Sequence, residues 1–277
     1  MHRVPFGVRR LDSTLGGGAP PGSVVLLSGE PGAGAREFVY TSALMNGLAH
    51  ADEELFDLYY GTLAEASELP GGVHYVSFTD HPEQVRGEMR LGMDDDLVEA
   101  GLDAVTFHDL SAEYFRLSPV PRDWYTERTT AITDLGTQDR TSVAEALGDR
   151  LNEHAPGNLV VIDSLTDLAG ALGDEYGWAD ISMLVRGLAR AAYDWGGLVL
   201  VHLNREALTA QQHGQLVDAT DGILLFQWER GGSTLARTMV VQQFRGVLSA
   251  IEEESIVQFE TQITDSGFDI SEVRKIR

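Results

Sequence analysis

The chain has 277 residues, 43% of them hydrophobic, which is enough to bury a full core, and its length suits one large α/β domain over residues 1–277 better than two small ones. It has no cysteine, excluding disulfides and thiolate metal sites, and no apolar run of the roughly 18 to 20 residues that a membrane span needs. The net charge is −23, from 43 acidic against 20 basic residues, and Lys275 is the single lysine.

Carboxylates spread along the whole chain, with arginine almost replacing lysine, suit a protein that stays soluble in concentrated salt, where charges are screened within a few Å. A halophilic, cytoplasmic protein is expected, because the N-terminal MHRVPFGVRR lacks the apolar core of a signal peptide. The even spread argues against reading the negative charge as a functional patch.

In chain order, short β-branched apolar runs alternate with helical patterns, as in parallel strands joined by crossover helices. The predicted strands are 24–28, 73–78, 104–108, 159–163, 198–204, 222–226, 238–244 and 256–264. The first five are separated by helix-length segments and the last three by turns. This predicts an α/β fold whose wound, mostly parallel sheet ends in an antiparallel meander. Two segments read as insertions: 50–72, with an acidic amphipathic helix, and 116–139, with prolines and aromatics. A solvated helix and a surface loop account for them as well as partner-binding elements do.

The first strand feeds GEPGAGAREF, residues 29–38. A strand, a glycine-rich turn and a helix start surround one point with backbone N–H groups and the positive end of a helix, so an anion fits there. The candidate nucleotide-binding residues are Gly29, Glu30, Pro31, Gly32, Ala33, Gly34, Ala35, Arg36 and Glu37. A phosphate loop next requires Lys for the β/γ-phosphates and Ser or Thr for Mg²⁺, but Ala35 and Arg36 stand there. Arg36 can grip phosphate bidentately, whereas Mg²⁺ coordination should suffer. Taken alone, the turn fits a structural strand-to-helix connection equally well.

Further on, NLVVIDSLTDL is an apolar strand ending in Asp163, the form of a Walker B element whose carboxylate holds Mg²⁺. A buried strand running into a helix capped by Ser164 would look the same. The eight histidines show no HxH or HExxH spacing, so no histidine metal site is expected, and His74, His108 and His202 read as strand-end or packing residues. Trp124, Trp178, Trp195 and Trp228 read as core or interface residues.

The two motifs in this order, with FGVRRLDSTLGGGAPPGS before them, VHYVSFTDHPEQVRGEM between them and VVQQFRG and VQFETQITDSGFDI after them, resemble the RecA superfamily, and within it the KaiC-like ATPases of archaea and bacteria. The resemblance spans nearly the whole chain and implies a RecA-like P-loop NTPase fold, here of haloarchaeal type with a degenerate Walker A motif. In the family the second strand ends in two glutamates, the first being the base that orients the attacking water; Thr79 and Asp80 stand there. Thr79 cannot act as that base, and Asp80 is shifted by one residue, which on a strand means the opposite face. The resemblance further implies a γ-phosphate sensor at Asn204, where a capping asparagine would look the same. It places Arg245 of the sequence Gln243-Phe244-Arg245 as a residue acting in trans across a subunit boundary, its companion lysine being absent.

ATP and Mg²⁺ are thus the implied cofactors, held weakly or not at all. The leading expectation is a catalytically impaired, regulatory or partner-binding protein that forms homo-oligomers. An active ATPase with unconventional phosphate contacts, from Arg36 or an arginine in trans, is the first alternative. A DNA-associated protein akin to recombination mediators is the second, disfavoured because no basic stripe is present.

Overall fold

The computed structural model describes residues 2–125, 142–173, 176–231, 234–245 and 256–275. A short helix α1 (Arg9–Thr14) leads into β1 (Ser23–Gly29), and the glycine-rich segment 30–34 follows it into α2 (Ala35–Ala51). Next come α3 (Glu53–Tyr59), β2 (Val73–Ser77), α4 (Pro82–Gly92), α5 (Asp95–Asp103), β3 (Val105–Asp109) and α6 (Ser111–Phe115). The central part continues with α7 (Val143–His154), β4 (Leu159–Asp163), α8 (Leu165–Leu172), α9 (Trp178–Trp195), β5 (Leu198–Asn204) and α10 (Ala210–Ala219). The chain ends in β6 (Gly222–Gly231), β7 (Thr234–Phe244), β8 (Ile256–Thr264) and β9 (Gly267–Lys275).

All of these strands share one nine-stranded sheet in the order β3-β2-β4-β5-β1-β6-β7-β8-β9. From β3 to β6 neighbours are parallel, and from β6 to β9 they are antiparallel. β1, β4 and β5 are read from the sequence as unbroken apolar runs because they lie inside the sheet with both faces covered. The final hairpin partner, β9, is the strand that the sequence pattern missed. β6 runs five residues beyond its predicted end, and β7 starts earlier than expected.

Strand alternation sorts the side chains into two cores. Val25, Leu27, Val73, Tyr75, Leu159 and Val161 face α2, α5 and the meander, while Val24, Leu26, Val76, Val160 and Ile162 face α7 to α10. The same rule sends Asp163 to the α2 side and His74 to the α7 side. Within segment 50–72, α3 is capped by the Asp52 side chain, which accepts from Leu55 N at 3.0 Å. Of segment 116–139, residues 126–139 lie outside the described residues, and Trp124 in the part before them is 77% exposed, so it is not a core residue. No helix among the described residues is long and apolar enough to cross a membrane.

Candidate functional site

At the carboxyl ends of β1, β4 and β5 lies a cleft of about 350 Å³, lined by Gly29, Gly32, Gly34, Arg36, Asp167 and Asn204 among others. This is where ligands bind open parallel sheets. Gly34 holds φ 109°, and a Cβ on it would sit 3.1 Å from the Phe268 ring, so the turn into α2 requires glycine. Gly29 is equally constrained by proximity, since a Cβ there would meet Ala35 Cβ at 2.6 Å. Behind the loop, Phe38, Phe226 and Phe268 pack edge to face with centroids 5.3 to 5.6 Å apart.

The β6–β7 hairpin fixes the loop from outside. Trp228 Nε1 donates to Pro31 O at 3.1 Å, Arg237 Nε donates to Gly32 O at 3.0 Å, and Glu30 accepts from Trp228 N at 3.2 Å. The Arg237 guanidinium also lies 4.7 Å from the centroid of the Trp228 ring. With these carbonyls drawn to the hairpin, and Gly34 offering no side-chain cap to α2, the first-turn N–H groups remain for an anion in the cleft.

The side chain of Arg36 turns toward carboxylates. Its guanidinium is 3.7 Å from Asp163, 3.5 Å from Asp80 and 3.7 Å from Glu88. Asp163 is 4% exposed and is held further by the Tyr75 hydroxyl, donating at 2.6 Å, and by His202 Nδ1 at 2.7 Å. Glu88 accepts from the Tyr40 hydroxyl at 2.6 Å. Burial works to raise the Asp163 pKa, but His202, then Arg36 and Tyr75, bring it below the usual carboxylate range. Burial likewise opposes the Arg36 charge, and Asp163 foremost among its neighbours raises its pKa above the ordinary value. Asp80 is raised, chiefly by burial against the opposing charge of Arg36, with Asp163 and Glu88 adding to the rise.

These residues do not fit Mg²⁺. The ion needs oxygen ligands at about 2.0–2.1 Å in octahedral array, and residue 36 brings a fixed cation to the carboxylate that would hold it. Arg36 sets its positive charge against the Asp163 carboxylate.

Asp80 does reach the cluster, contrary to the expectation from strand alternation, because β2 ends at Ser77 and residues 78–80 form a bend. Asp80 N donates to Ser77 Oγ at 3.0 Å, which shapes that bend. Asn204 lines the cleft, and its side chain accepts from Glu206 N at 3.1 Å, capping a turn of 3₁₀ helix. Arg245 lies at the other end of the sheet, where it pairs with Asp221 at 3.4 Å and donates to Asp218 O at 3.2 Å. In β1, Val24 N bonds the same Asp221 side chain, so Arg245 is separated from the phosphate loop by the length of that strand, about 17 Å. It cannot reach its own cleft.

Tyr40, Tyr75, Glu88, Trp228 and Arg237 carry no sequence signal that places them in this site. His202, read as a strand-end or packing residue, lies near the end of β5 and bonds Asp163. His74 and His108, read the same way, lie with His154 in one group. His74 Nδ1 and His108 Nε2 are 3.1 Å apart. Burial, then His154, lowers the His74 pKa, and burial with its histidine neighbours and Arg150 takes His108 down to about 4, so both rings are neutral at pH 7.

No protein-family model matches the sequence, and no curated protein matches it. The structure is similar to the crystal structure of a KaiC-like protein from the hyperthermophilic archaeon Pyrococcus horikoshii, with a TM-score of 0.62 and 16% sequence identity, covering 98% of this chain and 99% of that one. At that identity the likeness concerns the fold alone: the chain has an α/β, RecA-like fold with a mostly parallel sheet and a C-terminal antiparallel meander.

Proposed function

We propose that this is a RecA-fold regulatory or partner-binding protein that has lost ATP hydrolysis and keeps, at most, a weak anion site for the phosphates of a nucleotide. The observation that carries the reading is the Arg36 guanidinium set among Asp163, Asp80 and Glu88. It supplies to Asp163 the positive charge that a metal would bring, and phosphoryl transfer depends almost wholly on such positioned charge. Thr79 lacks a carboxylate for activating water, and Ala35 lacks the amine for the phosphates. The alternative in which Arg36 serves the phosphates requires it to leave three carboxylates.

The test is nucleotide binding and hydrolysis measured side by side in molar salt, with and without Mg²⁺. Binding indifferent to Mg²⁺, or no binding, together with no hydrolysis is the expected result. Robust Mg²⁺-dependent hydrolysis abolished by Asp163→Ala would overturn the reading. Self-association belongs to the same proposal, since Arg245 can serve a nucleotide site only across a subunit boundary. Light scattering in high salt that finds a monomer, with and without nucleotide, would remove that part.

A further inference from the structure

His74 on β2, His108 on the edge strand β3 and His154 at the last residue of α7 each bring a ring nitrogen into a group whose atoms lie within 4.8 Å of one another. The ring centroids are 5.3, 4.8 and 4.7 Å apart, and the interplanar angles are 29°, 23° and 32°. Three nearly parallel rings cannot form a pile at these spacings, because a pile would set its outer members at twice the separation of neighbours. Each instead brings one ring nitrogen into a single compact group.

That is how three imidazoles stand around one metal ion. With metal–nitrogen bonds of about 2.0–2.1 Å and tetrahedral angles, ligand nitrogens lie about 3.3 Å apart and ring centroids about 5.2 Å apart. The His74–His108 nitrogen separation of 3.1 Å and all three centroid distances are close to those values. A hydrogen bond explains the His74–His108 contact by itself, but it does not involve His154, whose ligand atom lies within 4.8 Å of the other two.

We propose that His74, His108 and His154 bind a divalent transition-metal ion of the Zn²⁺ class, leaving a fourth position open to water. Three neutral nitrogen ligands without a thiolate are the set that keeps such a position. The surroundings hold the ligands in place. Asn158 Nδ2 donates to His154 O at 2.7 Å, tying the helix end to the loop before β4. The group faces the α7 side of the sheet, whereas Tyr75, the neighbour of His74, faces the other side and bonds Asp163. The proposed site is therefore separate from the Arg36 cluster and independent of the reading given to it.

The test uses the untagged full chain, stripped with a chelator, dialysed in molar salt and titrated with Co²⁺ and then Zn²⁺. One equivalent of Co²⁺ per chain is expected, with the visible absorption of a four-coordinate ion that Zn²⁺ displaces. His154→Ala, at a partly exposed helix end, and His108→Gln should each lose the bound equivalent, while His2→Ala, at the exposed N-terminus, should keep it. Circular dichroism checks that each variant is folded, and if His108→Gln is not, His154→Ala decides. Wild-type protein that retains neither ion, its histidines then forming only a hydrogen-bonded cluster, would overturn the proposal, as would a His154→Ala variant that retains the full equivalent.

Discussion

The Arg36 guanidinium stands 3.7 Å from the buried carboxylate of Asp163 and balances a negative charge that the interior would otherwise disfavour. Arg36→Thr should leave Asp163, Asp80 and Glu88 facing one another without a cation. Removing one partner of a fully buried pair costs about 3–5 kcal/mol; Arg36 is 39% exposed, so solvent screening places its loss well below that range. Added Mg²⁺ should then raise the melting temperature of the variant, with threonine and the carboxylates as oxygen ligands, and leave the wild type unchanged. Equal Mg²⁺ responses in the two proteins would contradict the view that Arg36 takes the place of a metal.

A second expectation concerns the loop itself. Gly34→Ala forces a side chain onto a backbone at φ 109° and against the Phe268 ring at 3.1 Å. Such backbone strain costs about 1–3 kcal/mol, and a chain of this size loses roughly 2–4 °C in melting temperature per kcal/mol. A thermal melt unchanged by the substitution would show that the turn does not hold this geometry.

The sequence carried the phosphate-loop frame because strand, glycines and helix lie within one stretch, and their geometry is local. What Arg36 does there was not legible, since its partners are remote: Asp80 lies 44 residues on, and Asp163 belongs to another strand. Asp80 comes to Arg36 for a local reason, the early end of β2 at Ser77. β9 was missed because the predicted strands stop at Thr264 and the residues beyond the Thr264–Gly267 turn were not read as a strand. The histidine group was beyond any spacing rule, because β2 and β3 are brought side by side only by the sheet and His154 arrives on a crossover helix.

The pH dependence of stability should contain a contribution from Asp12. Its carboxylate accepts from Phe6 N at 2.7 Å, Gly7 N at 3.0 Å and the Tyr60 hydroxyl at 3.0 Å, yet complete burial outweighs these bonds and raises its pKa to about 7. A folded pKa above the unfolded value of 3.8 means that the folded state binds the proton more tightly. This contribution is fully present below about pH 4 and is lost as pH rises toward 7. Comparing denaturation midpoints at pH 5 and pH 8 for the wild type and Asp12→Asn isolates it from the other carboxylates. A pH difference that is the same in both proteins would rule it out.

Salt should stabilise the fold. With a net charge of −23, self-repulsion grows as the Debye length lengthens to roughly 30 Å near 0.01 M salt. Circular dichroism over a salt series should show loss of folded structure on dilution, and a signal independent of salt would remove the halophilic reading.

Rebuilding the cleft tests the assignment of its positions in sequence. Ala35→Lys keeps the Cβ that packs against Gly29 and adds an amine that can extend toward the cleft, while Arg36→Thr removes the cation beside Asp163 and supplies a hydroxyl for Mg²⁺. The loop carbonyls stay bonded to Trp228 and Arg237, so the N–H groups keep their direction and ATP affinity should rise in the double variant. Turnover should stay low, because Thr79 leaves the attacking water without a base, and general-base assistance is commonly worth about 10²- to 10⁴-fold. Adding Thr79→Glu should then give measurable hydrolysis, provided a neighbouring subunit brings Arg245 to the cleft that its own chain cannot reach. The order of effects is the test: full turnover in the double variant would mean that residue 79 is wrongly assigned, and a triple variant unable to bind ATP would mean that this loop is a strand-to-helix turn and nothing more.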